Sequence, residues 1–139
     1  MALLSDTALD ELAAAIAGGA TVAGLGESTR FAHETFIVRD QLFRRLARQH
    51  QFRALALQDD AAVAAMLDKY VTTGEGTASS ALDDAFRPWR TVEMAAALEW
   101  IREFNQDNPH DPIRIFACPN RSRPAATAAS SESWSRTSA

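Results

Sequence analysis

The sequence predicts an α/β fold, with short, mainly parallel strands flanked by helices. Three observations carry this. Short apolar runs at residues 21–25, 52–57 and 113–118 have the length of buried strands. The stretches between them place apolar residues at helical spacing. The two kinds of segment alternate in the order α-β-α-β-α-α-α-β, the pattern of strands joined by crossover helices. At least three roughly parallel strands are expected.

Each element has a local reason. Ser5 or Asp6 can cap a first helix, in which Leu9, Leu12, Ala13 and Ile16 recur at helical spacing and which Gly18-Gly19 ends. Its apolar face is expected to pack on the sheet. Residues 21–25 read as the first strand. A second helix over about 31–49 carries Phe36, Ile37, Leu42, Phe43 and Leu46 as its apolar stripe. Arg39, Asp40, Arg44, Arg45 and Arg48 fall mostly on its wet face. Residues 52–57 form the second strand, and a βαβ unit of this size should be parallel. Asp59 and Asp60 suit the cap of a third helix over about 61–71, with Val63, Met66, Leu67 and Tyr70 inward. Residues 72–76 are a loop, and a short helix over 78–85 ends before Phe86-Arg87-Pro88. Thr91 caps a longer helix, to about Asn105, with Leu98, Ile101 and Phe104 on its buried side. Residues 108–112 turn into the third strand.

Composition sets the bounds. A chain of 139 residues is one domain or part of one, and 47% hydrophobic against 23% charged residues permits a globular core. The net charge of −4 gives no electrostatic case for nucleic acid or an anionic membrane surface. Cys118 is the only cysteine, which leaves no internal disulfide and argues against a cysteine-based metal site. The start of the chain lacks a signal-peptide pattern, and no apolar run approaches the ~20 residues of a membrane helix. A cytoplasmic protein is expected. From Pro119 onward the chain is rich in Ser, Ala, Thr and Arg, without periodicity. We expect an α/β domain over 1–118 and a disordered tail over 119–139.

Chemistry concentrates between the first strand and the second helix, in Gly24-Leu25-Gly26-Glu27-Ser28-Thr29-Arg30-Phe31-Ala32-His33-Glu34. Ligands of α/β sheets sit outside the carboxyl ends of strands, and backbone N–H groups at a helix start favour an anion. The same residues also suit a plain strand-to-helix connection with Ser28 or Thr29 as N-cap. The glycine spacing is too weak for a dinucleotide site, because Thr29 stands at the third glycine position. There is no Gly-x-Ser-x-Gly elbow, and His33, His50 and His110 show no metal-ligand spacing. No cofactor is expected. His50 and His110 read as surface residues, and Trp89, Trp100 and the phenylalanines as core or groove-lining side chains.

Gly26-Glu27-Ser28-Thr29, followed by Ala32-His33-Glu34, resembles the signature of the erythromycin esterase family, Gly-Glu-(Ser/Ala)-Thr-His-Gly, often with a later His-Glu pair. Residues 52–57 resemble that family's second strand, and Pro88-Trp89-Arg90-Thr91 and Glu99-Trp100 its helical region. The resemblance covers about residues 20–118 and implies the N-terminal portion of an erythromycin-esterase-like domain. It implies hydrolysis of an ester or lactone by a base-activated water, with a macrolide such as erythromycin as substrate.

The resemblance also assigns roles. Glu27 matches the active-site glutamate that would orient the base or the water; it would serve equally as a turn residue paired with Arg30 or Arg39. Arg30 stands where the family has its base histidine, and Phe31 where it has glycine. A guanidinium cannot accept a proton at working pH, so Arg30 cannot be the base. Arg39 matches an active-site arginine; from the residues alone it would be a solvated helix position. Nine helical residues turn about 900°, so Arg30 must lie in the turn if it shares a pocket with Arg39. Gln58 stands where the family has a glutamate, and Asp59 and Asp60 beside it could partly compensate. His33 is the one nearby imidazole that could substitute as base, at a different depth. The later histidines of the family have no counterpart, and Pro119 stands at an aspartate position. We therefore expect a truncated or frame-altered member, weakly active or inactive. The alternative is a non-catalytic remnant or a binding module for a small molecule or protein. The expected partners are a small ester or lactone and, through an open sheet edge, a second copy of the chain, in a marginally stable fold.

Overall fold

The computed structural model of the chain describes residues 4–26 and 33–118. Its elements are α1 (Asp6–Ala17), α2 (His33–His50), β1 (Ala54–Leu57), α3 (Ala61–Thr73), α4 (Ala78–Ala81), a 3-10 turn (Arg87–Trp89), α5 (Val92–Asp107) and β2 (Arg114–Ala117). The α/β class holds. β1 and β2 run parallel, with Ala54 opposite Arg114 and Leu57 opposite Ala117. The chain between them, through α3, α4 and α5, makes the crossover that a parallel pair requires.

Local chemistry accounts for the helix ends. Ser5 Oγ accepts the Ala8 N–H at the start of α1, and Thr91 Oγ1 accepts the Met94 N–H at the start of α5. Gly74 closes α3 in the left-handed region at φ 73°, where an added Cβ would meet Arg102 at 2.8 Å. The main core is made by α3, α5 and the sheet, with Leu67, Val71, Leu98, Ile101 and Ile113 fully buried. Trp100 sits at its edge, packed against Phe43 and Phe104, with Arg44 and Arg48 over the ring.

Several expectations need correction. Residues 21–25 are not a strand. Thr21 and Val22 form a bend, and the residues that follow have no regular structure. Ala23, Gly24 and Gly26 offer little side chain to pack on a pleated surface, and Val22 is 85% exposed. The described sheet has two strands rather than three. The helix α1 packs on α2, not on the sheet: Ala13 and Ile16 meet Leu42 and Leu46, while Leu12 remains exposed. Arg45 pins this pair, donating from Nε to Asp10 at 2.7 Å and from Nη2 to Asp6 at 2.6 Å. Met66 is also exposed; Ala64 and Val71 take the inward positions on α3. The short helix stops at Ala81, and α5 runs on to Asp107. The tail expected over 119–139 lies outside the described residues. No helix among the described residues is long and apolar enough to cross a membrane.

The outer edge of β2 is covered by side chains. Arg114 and Cys118 donate their N–H groups toward β1, to the carbonyls of Arg53 and Leu57. The N–H groups of Ile113 and Ile115 therefore point the other way. Asn105 Oδ1 accepts the first at 2.7 Å, and Asp68 Oδ1 the second at 2.8 Å. Asn105 Nδ2 also donates to the carbonyls of Ile113 and Val71, each at 2.9 Å, so one buried amide ties α5, α3 and β2 together. Asp68 additionally takes two donors of Arg114, Nε at 3.0 Å and Nη2 at 2.6 Å.

Burial alone would raise the Asp68 pKa. The hydrogen bonds from Arg114 and the Ile115 N–H, with the Arg114 charge, outweigh burial and hold the carboxyl below its ordinary value. A depressed folded pKa means that the folded state binds fewer protons than the unfolded state. The stability it adds is therefore full above the unfolded value of 3.8 and is lost as pH falls through the folded one. Asp68→Asn should cost about 1–2 kcal/mol at neutral pH, by loss of the charge-assisted bonds. Urea melts should show that gap closing as the pH is taken well below 4.

Candidate functional site

An apolar groove of about 1030 Å³ runs between α2, β1, the start of α5 and the 20–26 segment. Phe36, Arg39, Phe43, Leu46 and His50 recur three or four residues apart and so share one face of α2, which forms the long wall. Met94, Leu98 and Ile101 supply the wall from α5. On β1, the carbonyls of Arg53 and Leu57 point to β2, so the backbone groups of Ala54 and Ala56 face the other edge. Both alanines line the groove.

The polar end lies beyond the carboxyl end of β1, where α/β sheets place ligands. Gln58 is exposed there and lines the groove, and its carbonyl accepts a long bond of 3.4 Å from Trp89 Nε1. The Arg39 guanidinium lies over both Phe36 and Trp89, 5.8 Å from each ring centre. These are cation–π distances, and they set a positive charge against an apolar wall. Asp59 organises this end from behind. It is buried, its Oδ2 accepts the Phe86 N–H at 2.6 Å, and its Oδ1 accepts the Asp60 N–H at 2.8 Å. Asp59 thus holds the turn that carries Trp89. The expected cap of α3 is met in position only: Asp60 occupies the N-cap, but its side chain makes no capping hydrogen bond to the start of the helix.

The expected site residues separate into three groups. Arg39 and Gln58 come together in the groove. Glu27 and Arg30 lie outside the described residues. His33 opens α2 one turn before Phe36, and its Nδ1 meets Glu93 Oε1 at 2.6 Å. The imidazole is 59% exposed and the Glu93 side chain 23%. The hydrogen bond from its own backbone N–H lowers the Glu93 pKa. Partial burial opposes this, while hydrogen bonds from Thr91 and His33 and the His33 charge add to it. The pair bridges the starts of α2 and α5.

Sequence reasoning missed two residues. Glu93 gave no signal beyond its place in the first turn of a helix. His50, expected at the surface, lines the groove near Phe52, and its Nε2 is buried without a hydrogen-bonding partner among the described residues. Its place on the Phe36–Arg39–Phe43–Leu46 face was the available clue. No cluster of His, Cys, Asp and Glu among the described residues could hold a metal ion.

A parallel strand pair flanked by helices, with a groove that reaches past the carboxyl end of β1, defines an α/β fold. Residues 47–117, just over half of the chain, match the erythromycin esterase family, and the chain belongs to that family. Two solved structures are similar to it. One is a protein from Bacillus cereus, 32% identical, with a TM-score of 0.71, covering 82% of this chain and 27% of its own. The other is a succinoglycan biosynthesis protein, 26% identical, with a TM-score of 0.72, covering 82% of this chain and 28% of its own. The chain thus spans little more than a quarter of either. No curated protein matches it.

Proposed function

We propose that the groove is an ester- or lactone-binding site, macrolide-type by family, whose hydrolytic step is slow or absent in this chain. One observation carries this reading: Arg39 and Gln58, two of the positions that the family resemblance places at its active site, meet at the polar end of a large apolar groove. The apolar walls suit the hydrocarbon body of a lactone. Arg39 can polarise a carbonyl or hold the carboxylate that hydrolysis releases. The position that the resemblance gives to the base carries no proton acceptor. The base position holds Arg30, and Gln58 supplies an amide where a carboxylate would add charge. His33 is tied to Glu93 through Nδ1, which leaves only Nε2 to act as base.

Mass spectrometry of erythromycin and of a simple aryl ester, incubated with the full chain, tests this. We expect ring opening and ester cleavage at or near the uncatalysed rate. Robust turnover that survives Arg30→Ala and disappears in His33→Ala would overturn the reading and make His33 the base.

A further inference from the structure

We infer that the free edge of β1 is a docking site for an extended polypeptide segment, apolar on both faces, which adds to the sheet as a further strand. The inference goes beyond the ester reading and concerns the length of β1 rather than the polar end of the groove. Parallel sheets are normally covered on both faces, and a bare strand edge is a template for another strand. The two edges of this sheet differ. The outer edge of β2 is closed by Asn105 and Asp68, which accept the N–H groups of Ile113 and Ile115. The outer edge of β1 is bare. The N–H and carbonyl groups of Ala54 and Ala56 point away from β2 and take part in no hydrogen bond among the described residues. Both alanines are exposed.

The surroundings select the occupant. Phe43 and Leu46 of α2 and Leu98 and Ile101 of α5 line the groove together with Ala54 and Ala56. Successive side chains of a strand point to opposite faces, so a strand laid between these walls needs apolar residues at every position. The two alanines present one N–H and one carbonyl at every second residue, and an extended polypeptide backbone carries the matching repeat. The 20–26 segment lines the same groove, yet residues 21–26 make no backbone hydrogen bond to β1. A second copy of the chain is a poorer fit than a free segment, because its own β1 edge arrives flanked by its own α2 and α5. In both similar structures the matched region is little more than a quarter of the chain, so this fold occurs there beside much further polypeptide. A strand along β1 leaves Gln58, beyond the carboxyl end of β1, for a small ligand.

The test uses the full chain and the peptide acetyl-Lys-Val-Ile-Val-Ile-Val-Lys-amide, N-methylated at both isoleucines. Those methyl groups block one edge of the peptide, which prevents self-assembly, and leave the other edge free to pair. A control of the same sequence, N-methylated at every apolar residue, keeps the hydrocarbon and loses the pairing edge. By calorimetry we expect the first peptide to bind about tenfold more tightly than the control, or better, from the backbone hydrogen bonds it alone can make. On the wild-type chain it should also slow amide exchange at Ala54 and Ala56, and do so far less at Leu55 and Leu57, whose N–H groups face β2. Ala56→Pro removes one donor at an edge position where proline is tolerated, and should weaken binding about fivefold, the worth of one hydrogen bond. The inference is overturned by equal binding of the two peptides, by no binding of the first, or by undiminished binding to Ala56→Pro. It is overturned equally if the Ala54 and Ala56 amides are already protected in the free chain, or stay unprotected in the complex. None of these readouts uses an ester or turnover, so this inference and the ester reading fail separately.

Discussion

Replacing Asn105 by Ala should cost about 4 kcal/mol of folding stability, the largest single-residue effect expected outside the apolar core. The side chain is 6% exposed and makes three hydrogen bonds, to Val71 O, Ile113 O and Ile113 N. Truncation leaves two carbonyls and one N–H buried without partners, and each orphaned group costs about 1–3 kcal/mol before relaxation. It also frees Ile113, the residue just before β2, from α5. Asn105→Leu fills the same space and orphans the same groups, so it should cost nearly as much; that similarity separates the polar loss from a cavity. Asn105→Asp keeps the acceptor for Ile113 N–H but turns a negative charge toward two carbonyls, and should also be destabilising. Urea denaturation of the three variants measures this. Against a typical native stability of about 5–15 kcal/mol, a loss of this size removes a large share of the total. A change below about 1 kcal/mol for Asn105→Leu would show that water satisfies these groups as well as the amide does.

The second large effect is a gain. Arg30→His should raise lactone or ester hydrolysis by about 10²-fold or more, because a positioned general base contributes about 10²–10⁴-fold. The base works in its neutral form, so the new activity should rise with pH through about 6.5, the ordinary histidine value. Adding Gln58→Glu should increase it further by restoring a carboxylate at the end of β1. Steady-state rates of the two variants and the wild type, measured from pH 5 to 9, test both statements. An Arg30→His variant that binds ligand and remains inert would show that the missing element is elsewhere.

How much of this could be read from residues alone depended on the kind of signal. The helices α1, α2, α3 and α5 follow from caps and apolar spacing, and their ends fall within a few residues of expectation. β1 and β2 follow from the apolar runs that contain them. The 21–25 run failed because a strand needs a partner as well as composition, and Ala23 and Gly24 provide little to hold one. Arg39 and Gln58 were found through family resemblance; periodicity alone would have left Arg39 in solvent. Asp59 looked like a cap, yet it reaches across 27 residues to Phe86. Asn105 was invisible for the same reason, whereas His50 had one clue, its place on the Phe36–Leu46 face of α2. Their roles depend on what lies opposite them in space, and spacing along one helix carries no record of that.

The most direct test of the central claim is amide and indole chemical-shift mapping of the full chain with erythromycin, which asks where the ligand sits independently of chemistry. The account predicts perturbations at Phe36, Arg39, Gln58 and the Trp89 indole, around the 1030 Å³ groove. Perturbations confined to the far side, at Met66, Lys69 and Glu75 around the smaller cavity of about 250 Å³, would contradict it.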